Sequence, residues 1–458
     1  METIIIAVFF AGNLAITLEH SLKIDKLIPA LIMMAISWAF ISFGIDYFDS
    51  WFDSSKHALL KNFQGLNHDS RMHLLKETLL HHLGKTAEIL VFLLGAMTIV
   101  EIISYFNGFS TIKNFIKTKK KISLLWIFCW LAFVLSAIID NLTATIVLIS
   151  LLQKLVKDSE LRLWFAGLIV IAANSGGAFS PIGDVTTTML WIDQKVSTSH
   201  LFGYLLLPSL ICMLVPTFLA SKLSVFKGNL EVDDKDVQPA GRLSGTMFYL
   251  GLSAIIFVPV FKMATHLPPY VGMMLSLSIV AVFAEIYSSS KFSLEGLDKE
   301  GHSSPVHYSL SKIELPSILF FLGILMAVAA LESLGILFGF ADWLKVSTPY
   351  IGTEVVGTTV SDLVVLLLGV GSAVIDNVPL VAASLGMFSE PNDNILWHFI
   401  AYSAGTGGSM LIIGSAAGVV AMGMEKINFI WYLKKISWLA FVGFICGALV
   451  FLFTRTLF

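Results

Sequence analysis

Two short motifs keep carboxylates where an apolar chain has least reason to carry them. Ser136-Ala-Ile-Ile-Asp140-Asn141-Leu recurs as Ser372-Ala-Val-Ile-Asp376-Asn377-Val, each inside a long apolar run. A carboxylate at membrane depth costs about 3 kcal/mol even on forgiving scales, so it marks a function by default. The rival role is local: each Asp can cap the helix that follows it. The adjacent Asn141 and Asn377 can cap or ligate a cation. Thr143 adds a hydroxyl to the first copy, and Pro379 takes its place in the second, so the copies are not chemically equal.

A second pair of segments cannot stay regular helix. Asn174-Ser-Gly-Gly-Ala-Phe-Ser-Pro-Ile-Gly-Asp184 holds three glycines and a proline, and Gly405-Thr-Gly-Gly-Ser-Met-Leu-Ile-Ile-Gly-Ser415 holds four glycines. Irregular backbone at membrane depth survives only inside protein or beside a water-filled cavity. The alternative is close helix packing through small residues, but Asn174, Ser175, Ser180, Thr406, Ser409 and Ser415 accompany the glycines. An unwound break exposes carbonyls and half-helix ends, which bind ions and small substrates in transporters. Asp184 aligns with Ser415, so one carboxylate is matched by a hydroxyl and an asymmetric site is expected. Asp184 can also cap the helix after it.

Glu101 and Glu332 lie in continuous apolar runs and are candidate proton carriers, with a place near a helix end as the rival reading. The aspartates rank ahead of them because they flank unwound backbone. No Lys or Arg falls inside a predicted span core. Carboxylates, amides, hydroxyls and carbonyls suit a hard cation such as Na⁺. The expected Na⁺-binding set is Asp140, Asn141, Thr143, Asn174, Ser175, Ser180, Asp376, Asn377, Thr406, Ser409 and Ser415. Proton coupling is expected from Asp140, Asp184, Asp376, Glu101 and Glu332. No Walker A, GxSxG or HExxH pattern occurs, so neither ATP use, hydrolysis, another enzymatic activity nor a cofactor is expected.

These residues must be positioned by elements that sit in lipid. Apolar residues make up 56% of the 458-residue chain and charged ones 13%, about half the usual share for a soluble domain. A net charge of −3 offers no basic excess for nucleic acid. Cys129, Cys212 and Cys446 lie singly in apolar runs and form no disulfide framework. Runs fit to span roughly 30 Å of hydrocarbon fall near 3–18, 28–45, 86–107, 161–192, 201–220, 244–262, 268–287, 315–337, 394–424 and 434–454. The first lacks a basic n-region and a cleavage site, so it reads as a retained helix and not a signal peptide. Runs 122–156 and 356–388 are interrupted by the Asp-Asn pairs and read as helical hairpins that enter and return on one side. The 46–85 stretch, with His57, His68, His73, His81 and His82, reads as a solvated surface. The acidic run Glu231–Asp236 lies in a linker, and 288–314 is polar.

The repeated motifs keep one order at offsets of 236 and 231, and Phe92-Leu-Leu-Gly95 recurs as Phe320-Phe-Leu-Gly323. The chain is therefore expected to be two homologous halves, 1–220 and 244–458, joined by a cytoplasmic linker at 221–243. Each half reads as three spans, a hairpin, a broken span and a last span. Five crossings is odd, so the second half is inverted. With both termini outside, 20 of the 29 Lys and Arg fall in cytoplasmic connections, as the positive-inside rule requires. The fold class is all-α and polytopic, with two inverted repeats, each containing a re-entrant hairpin and a broken helix.

Ala137-Ile-Ile-Asp-Asn-Leu-Thr-Ala-Thr145, the 174–184 break and Tyr402-Ser-Ala-Gly-Thr-Gly-Gly-Ser-Met-Leu-Ile-Ile-Gly-Ser-Ala-Ala417 resemble the NhaD-type sodium/proton antiporters. These belong to the ion transporter superfamily, with the arsenite permeases and divalent-anion symporters. The resemblance covers nearly the whole chain. Its Asp-Asn tips and Pro-Ile-Gly-Asp break specify the superfamily, and its Gly-Thr-Gly-Gly-Ser run is more particular to NhaD. It implies a homodimer in the inner (plasma) membrane, with a scaffold part and a moving part, that exchanges cytoplasmic Na⁺, and by extension Li⁺, for external H⁺. The rival function on the same fold is a Na⁺-coupled or uncoupled permease for arsenite or a dicarboxylate.

Overall fold

The computed structural model describes all residues except 18, 54–57, 61–62, 117, 231–241, 296–303, 348–359, 375 and 456–458. The described residues are almost entirely helical, with one two-stranded ribbon pairing Phe52–Asp53 with Ala58–Leu59. Eight described helices are long and apolar enough to cross a membrane. The acidic run 231–236, the start of the second hairpin at 356–359, His57 and part of the polar 288–314 stretch lie outside the described residues.

Helices start where a short polar side chain can satisfy a backbone N–H that the helix itself leaves free. Asn67, Asp140, Asp158, Ser361, Asp376, Asn394, Ser415 and Asn428 each accept such a bond. The interruptions expected at the Asp-Asn pairs appear between helices Lys121–Ile139 and Asn141–Leu155, and between Asp362–Gly371 and Asn377–Met387. The expected broken spans appear as Ser159–Ala178 with Val185–Ile192, and Ile395–Gly407 with Ala416–Glu425.

The 46–85 stretch differs from its reading as a solvated connection. Helix His68–Tyr105 begins well before the apolar run and continues through it for 38 residues. Arg71 in its first turns is buried and donates to the carbonyls of Ile45, Asp46, Gln64 and Leu66, tying the preceding loop to the helix. His82 is buried as well. A hydropathy window misses this part because its stabilising contacts are made to a loop and not to lipid.

The two halves make matching contacts. Each hairpin packs on the broken helix of its own half: Lys121–Ile139 on Ser159–Ala178, and Asp362–Gly371 on Ile395–Gly407. The returning helices then cross over. Asn141–Leu155 packs on Ala416–Glu425, and Asn377–Met387 packs on Val185–Ile192. Reciprocal contacts of this kind follow when two equivalent units meet about a twofold axis. Glycine permits the hairpin-to-break crossing in both halves. A Cβ on Gly176 would stand 2.1 Å from the Phe133 carbonyl oxygen, and one on Gly407 would stand 2.0 Å from that of Gly369. Around this core, Leu315–Ser333 packs on Leu27–Phe43, where Trp38 donates to the Met326 carbonyl, and on His68–Tyr105.

Candidate functional site

The crossing brings both hairpin tips to one cavity of about 40 Å³, lined by Asp140, Asn141, Thr143, Asp184, Asp376 and Asn377 among others. A space of that size holds a water or a small partly hydrated ion. Among the described residues, its lining contains three carboxylates and no basic side chain.

Each tip carboxylate caps its returning helix, in different ways. Asp140 accepts from the Thr143 amide at 2.7 Å and from the Thr143 hydroxyl at 2.9 Å. Its φ of 84° and ψ of 157° lie in a region that only glycine populates freely. Such a backbone conformation persists only where the surrounding structure over-determines it, as the Thr143 bonds do here. Asp376 has ordinary backbone angles and a looser cap, 3.4 Å from the Val378 amide, and its second oxygen faces the Lys26 ammonium at 3.4 Å.

The break residues complete the wall. Asp184 precedes helix Val185–Ile192, yet its side chain makes no cap bond there. Its Oδ2 instead accepts from the Asn377 amide at 3.0 Å and from the Thr186 hydroxyl at 2.7 Å. Asn141 donates to Asn174 Oδ1 at 3.0 Å, and Asn174 donates to Ser415 Oγ at 2.9 Å. Each tip asparagine is therefore tied to the opposite half, on one side through a carboxylate and on the other through an amide and a hydroxyl. Asp184, Asn174, Asn377 and Ser415 are all buried. Gly405 aligns with Asn174 and packs against Ala178, whose Cβ lies 3.1 Å from where a Gly405 Cβ would stand, with the Asp184 carboxylate next at 3.4 Å.

Four expected ligands stand off this wall. Ser175 donates to the Ile171 carbonyl, Thr406 to that of Tyr402, Ser409 to that of Thr406 and Ser180 to that of Ala137. Ser175 and Thr406 bond back to the carbonyl one turn earlier in their own helices, and Ser409 and Ser180 bond to carbonyls beside the breaks. The glutamates are elsewhere too. Glu332 lines a cavity of about 310 Å³ with Lys85, Glu88 and Asp193, and Glu101 lines one of about 480 Å³ with Tyr308 and Lys312.

Lys26 is the site residue that the sequence did not reveal. It precedes helix Leu27–Phe43, far in the chain from Asp376, and nothing in its local sequence links the two. The tie from Asn377 to Asp184 across the halves was equally invisible, although the unequal pair Asp184 and Ser415 announced an asymmetry there.

Comparison with known proteins agrees with this architecture. The family described as Citrate transporter matches residues 13–398. Sodium/proton antiporter 1 of Arabidopsis thaliana is 42% identical over 458 residues, covering 98% of this chain and 72% of the relative. The Na(+)/H(+) antiporter NhaD of Vibrio cholerae is 31% identical over 450 residues, covering 93% and 86%. The Alcanivorax borkumensis YdaH transporter superposes with a TM-score of 0.54 at 14% identity, covering 94% of this chain and 97% of the other, a likeness of fold alone. On sequence, tips and breaks together, the chain belongs to the Citrate transporter family and, within it, to the NhaD-type sodium/proton antiporters of the ion transporter superfamily.

Proposed function

We propose that the chain is a secondary active transporter that exchanges Na⁺ for H⁺ at the hairpin-tip cavity by alternating access. The carrying observation is the lining itself: among the described residues, Asp140, Asp184 and Asp376 converge on one small space with the Asn141 and Asn377 amides and no basic side chain. Carboxylates that share one small space repel one another, and a bound cation relieves that repulsion. A proton or a Na⁺ relieves the same repulsion, so the two compete, and competition between opposite faces gives exchange. An anion would meet three carboxylates there and no basic lining residue, the Lys26 ammonium lining the neighbouring small cavity that shares Asp376, which disfavours arsenite or a dicarboxylate as cargo. No cofactor is required.

The charge distribution supports both termini outside, in the inner (plasma) membrane, with the first hairpin entering from the cytoplasm and the second from outside. The Glu332 cavity then serves as the external approach and the Glu101 cavity as the cytoplasmic one. On this reading both glutamates pass protons and do not bind Na⁺. The halves 1–220 and 244–458 act as inverted repeats, and assembly as a homodimer follows the family resemblance.

Transport of ²²Na⁺ into everted vesicles tests the reading. An imposed pH gradient should drive Na⁺ against its own gradient, and Asp140→Asn or Asp376→Asn should abolish the flux while the protein still inserts. Proton-independent uptake of a dicarboxylate instead would overturn it.

A further inference from the structure

We propose that Lys26 is a tethered counter-ion, filling Asp376 in the ion-free site and displaced from it when Na⁺ binds. The inference rests on reading Asp376 as an ion-coupling carboxylate.

Asp376 is buried at 8% exposure, and only one of its oxygens is spent on the helix cap. The other lies 3.4 Å from the Lys26 ammonium, itself only 15% exposed. A buried carboxylate without a cation is strongly unfavourable, and one with a matched cation is not. The ammonium is also seated 4.4 Å from the centre of the buried Phe320 ring, whose face attracts cations. Glu19 lines the same small cavity, so an ammonium leaving Asp376 has a second carboxylate nearby. These groups form a cation seat with two acceptors and one mobile occupant.

The location gives displacement a consequence. Lys26 starts helix Leu27–Phe43, which packs on Leu315–Ser333, while Asp376 sits on a hairpin tip. Thr17 donates to the Val374 carbonyl beside the same tip. The pair therefore latches the second hairpin to the helices around it, and Na⁺ arriving at Asp376 releases the latch. Occupancy of the site and freedom of the hairpin become one equilibrium, as coupling between two ligands of one group requires.

The test is equilibrium ²²Na⁺ binding to the purified full-length protein, with exchange measured in parallel. Lys26→Gln removes the competitor, so Na⁺ should bind about tenfold tighter while turnover falls. Lys26→Arg keeps the charge and should restore the wild-type dissociation constant. In the Asp376→Asn background, Lys26→Gln should add nothing. Phe320→Leu loosens the seat and should shift binding the same way by less; it carries the test if Lys26→Gln does not insert. An unchanged or weaker affinity in Lys26→Gln, or in Phe320→Leu should the former fail to insert, overturns the proposal. If Asp376→Asn binds Na⁺ like wild type, the reading of Asp376 itself fails. If Asp376→Asn loses binding but Lys26→Gln leaves it unchanged, the counter-ion role alone fails.

Discussion

Substituting Gly176 with alanine should uncouple the first hairpin from the first break, and the structure sets the scale. The new Cβ would stand 2.1 Å from the Phe133 carbonyl oxygen and 2.7 Å from its Cα, whereas ordinary contact begins at 3.4 Å. Both neighbours are backbone, so no rotamer relieves the clash, and the hairpin must retreat by about 1.3 Å, the difference between 2.1 and 3.4 Å. Overpacking of this kind costs about 1–3 kcal/mol, against a gain of about 1 kcal/mol for alanine over glycine in a helix. A retreat of that size at the tip also breaks the 3.0 Å bond from Asn141 to Asn174, worth about 1 kcal/mol, or a factor of roughly five to ten in an equilibrium. Gly176→Ala should therefore lower the apparent melting temperature in detergent by about 1–3 °C, the unfolding entropy of a 458-residue chain being about 1 kcal/mol/K, and cut Na⁺-driven proton flux in vesicles by about five- to tenfold. Gly407→Ala should behave alike, because its Cβ would meet the Gly369 carbonyl at 2.0 Å. Gly84→Ala is the control, with nothing within 4 Å. If Gly176→Ala is as stable and active as that control, the hairpin does not rest on the break as described.

Asp184→Asn keeps an oxygen for Asn377 and Thr186 but removes a charge from the cavity, so the protein should insert normally and ²²Na⁺ binding should weaken by at least about tenfold. Alanine at Ser175, Ser180, Thr406 or Ser409 should change Na⁺ affinity far less than Asn141→Ala, as a Na⁺ titration of exchange would show. Arg455 holds Asp362 through two bonds of 2.6 and 2.8 Å at the start of the second hairpin; Arg455→Ala should cost about 3 kcal/mol, read as a lower melting temperature. Burial alone would raise the Asp393 carboxyl, but His398 at 3.5 Å, the Ser197 amide at 2.6 Å and His200 at 3.1 Å hold it well below the usual carboxylate range. A depressed pKa gives stability that is present above the unfolded value and lost as pH falls through the folded one. Asp393→Asn should thus lower the melting temperature at pH 7, and the gap should close as the pH is taken well below 4.

Much of this was legible because the chemistry is local. Asp140-Asn141 and Asp376-Asn377 interrupt apolar runs, and the glycines of 174–184 and 405–415 cannot pack as plain helix, so hairpins and breaks follow from composition and order. The unequal Asp184 and Ser415 announced an asymmetric site. What stayed hidden depends on distance in the chain. Lys26 and Asp376 meet only once the helices are packed, and Arg71 stabilises a helix through loop carbonyls that no hydropathy window weighs. The hydroxyls of Ser175 and Thr406 look like ligands by type, yet a broken helix claims them for its own carbonyls, and that claim is visible only in three dimensions.

If one set of carboxylates takes either Na⁺ or H⁺, binding the ion must expel a proton. Proton release on adding Na⁺ to the purified protein in unbuffered solution tests this most directly. Na⁺ should acidify the solution over a defined pH window, and the response should vanish in the Asp140→Asn, Asp376→Asn double variant. Release that persists there but disappears in Glu101→Gln or Glu332→Gln, or no release at any pH, would contradict exchange by competition at the hairpin tips.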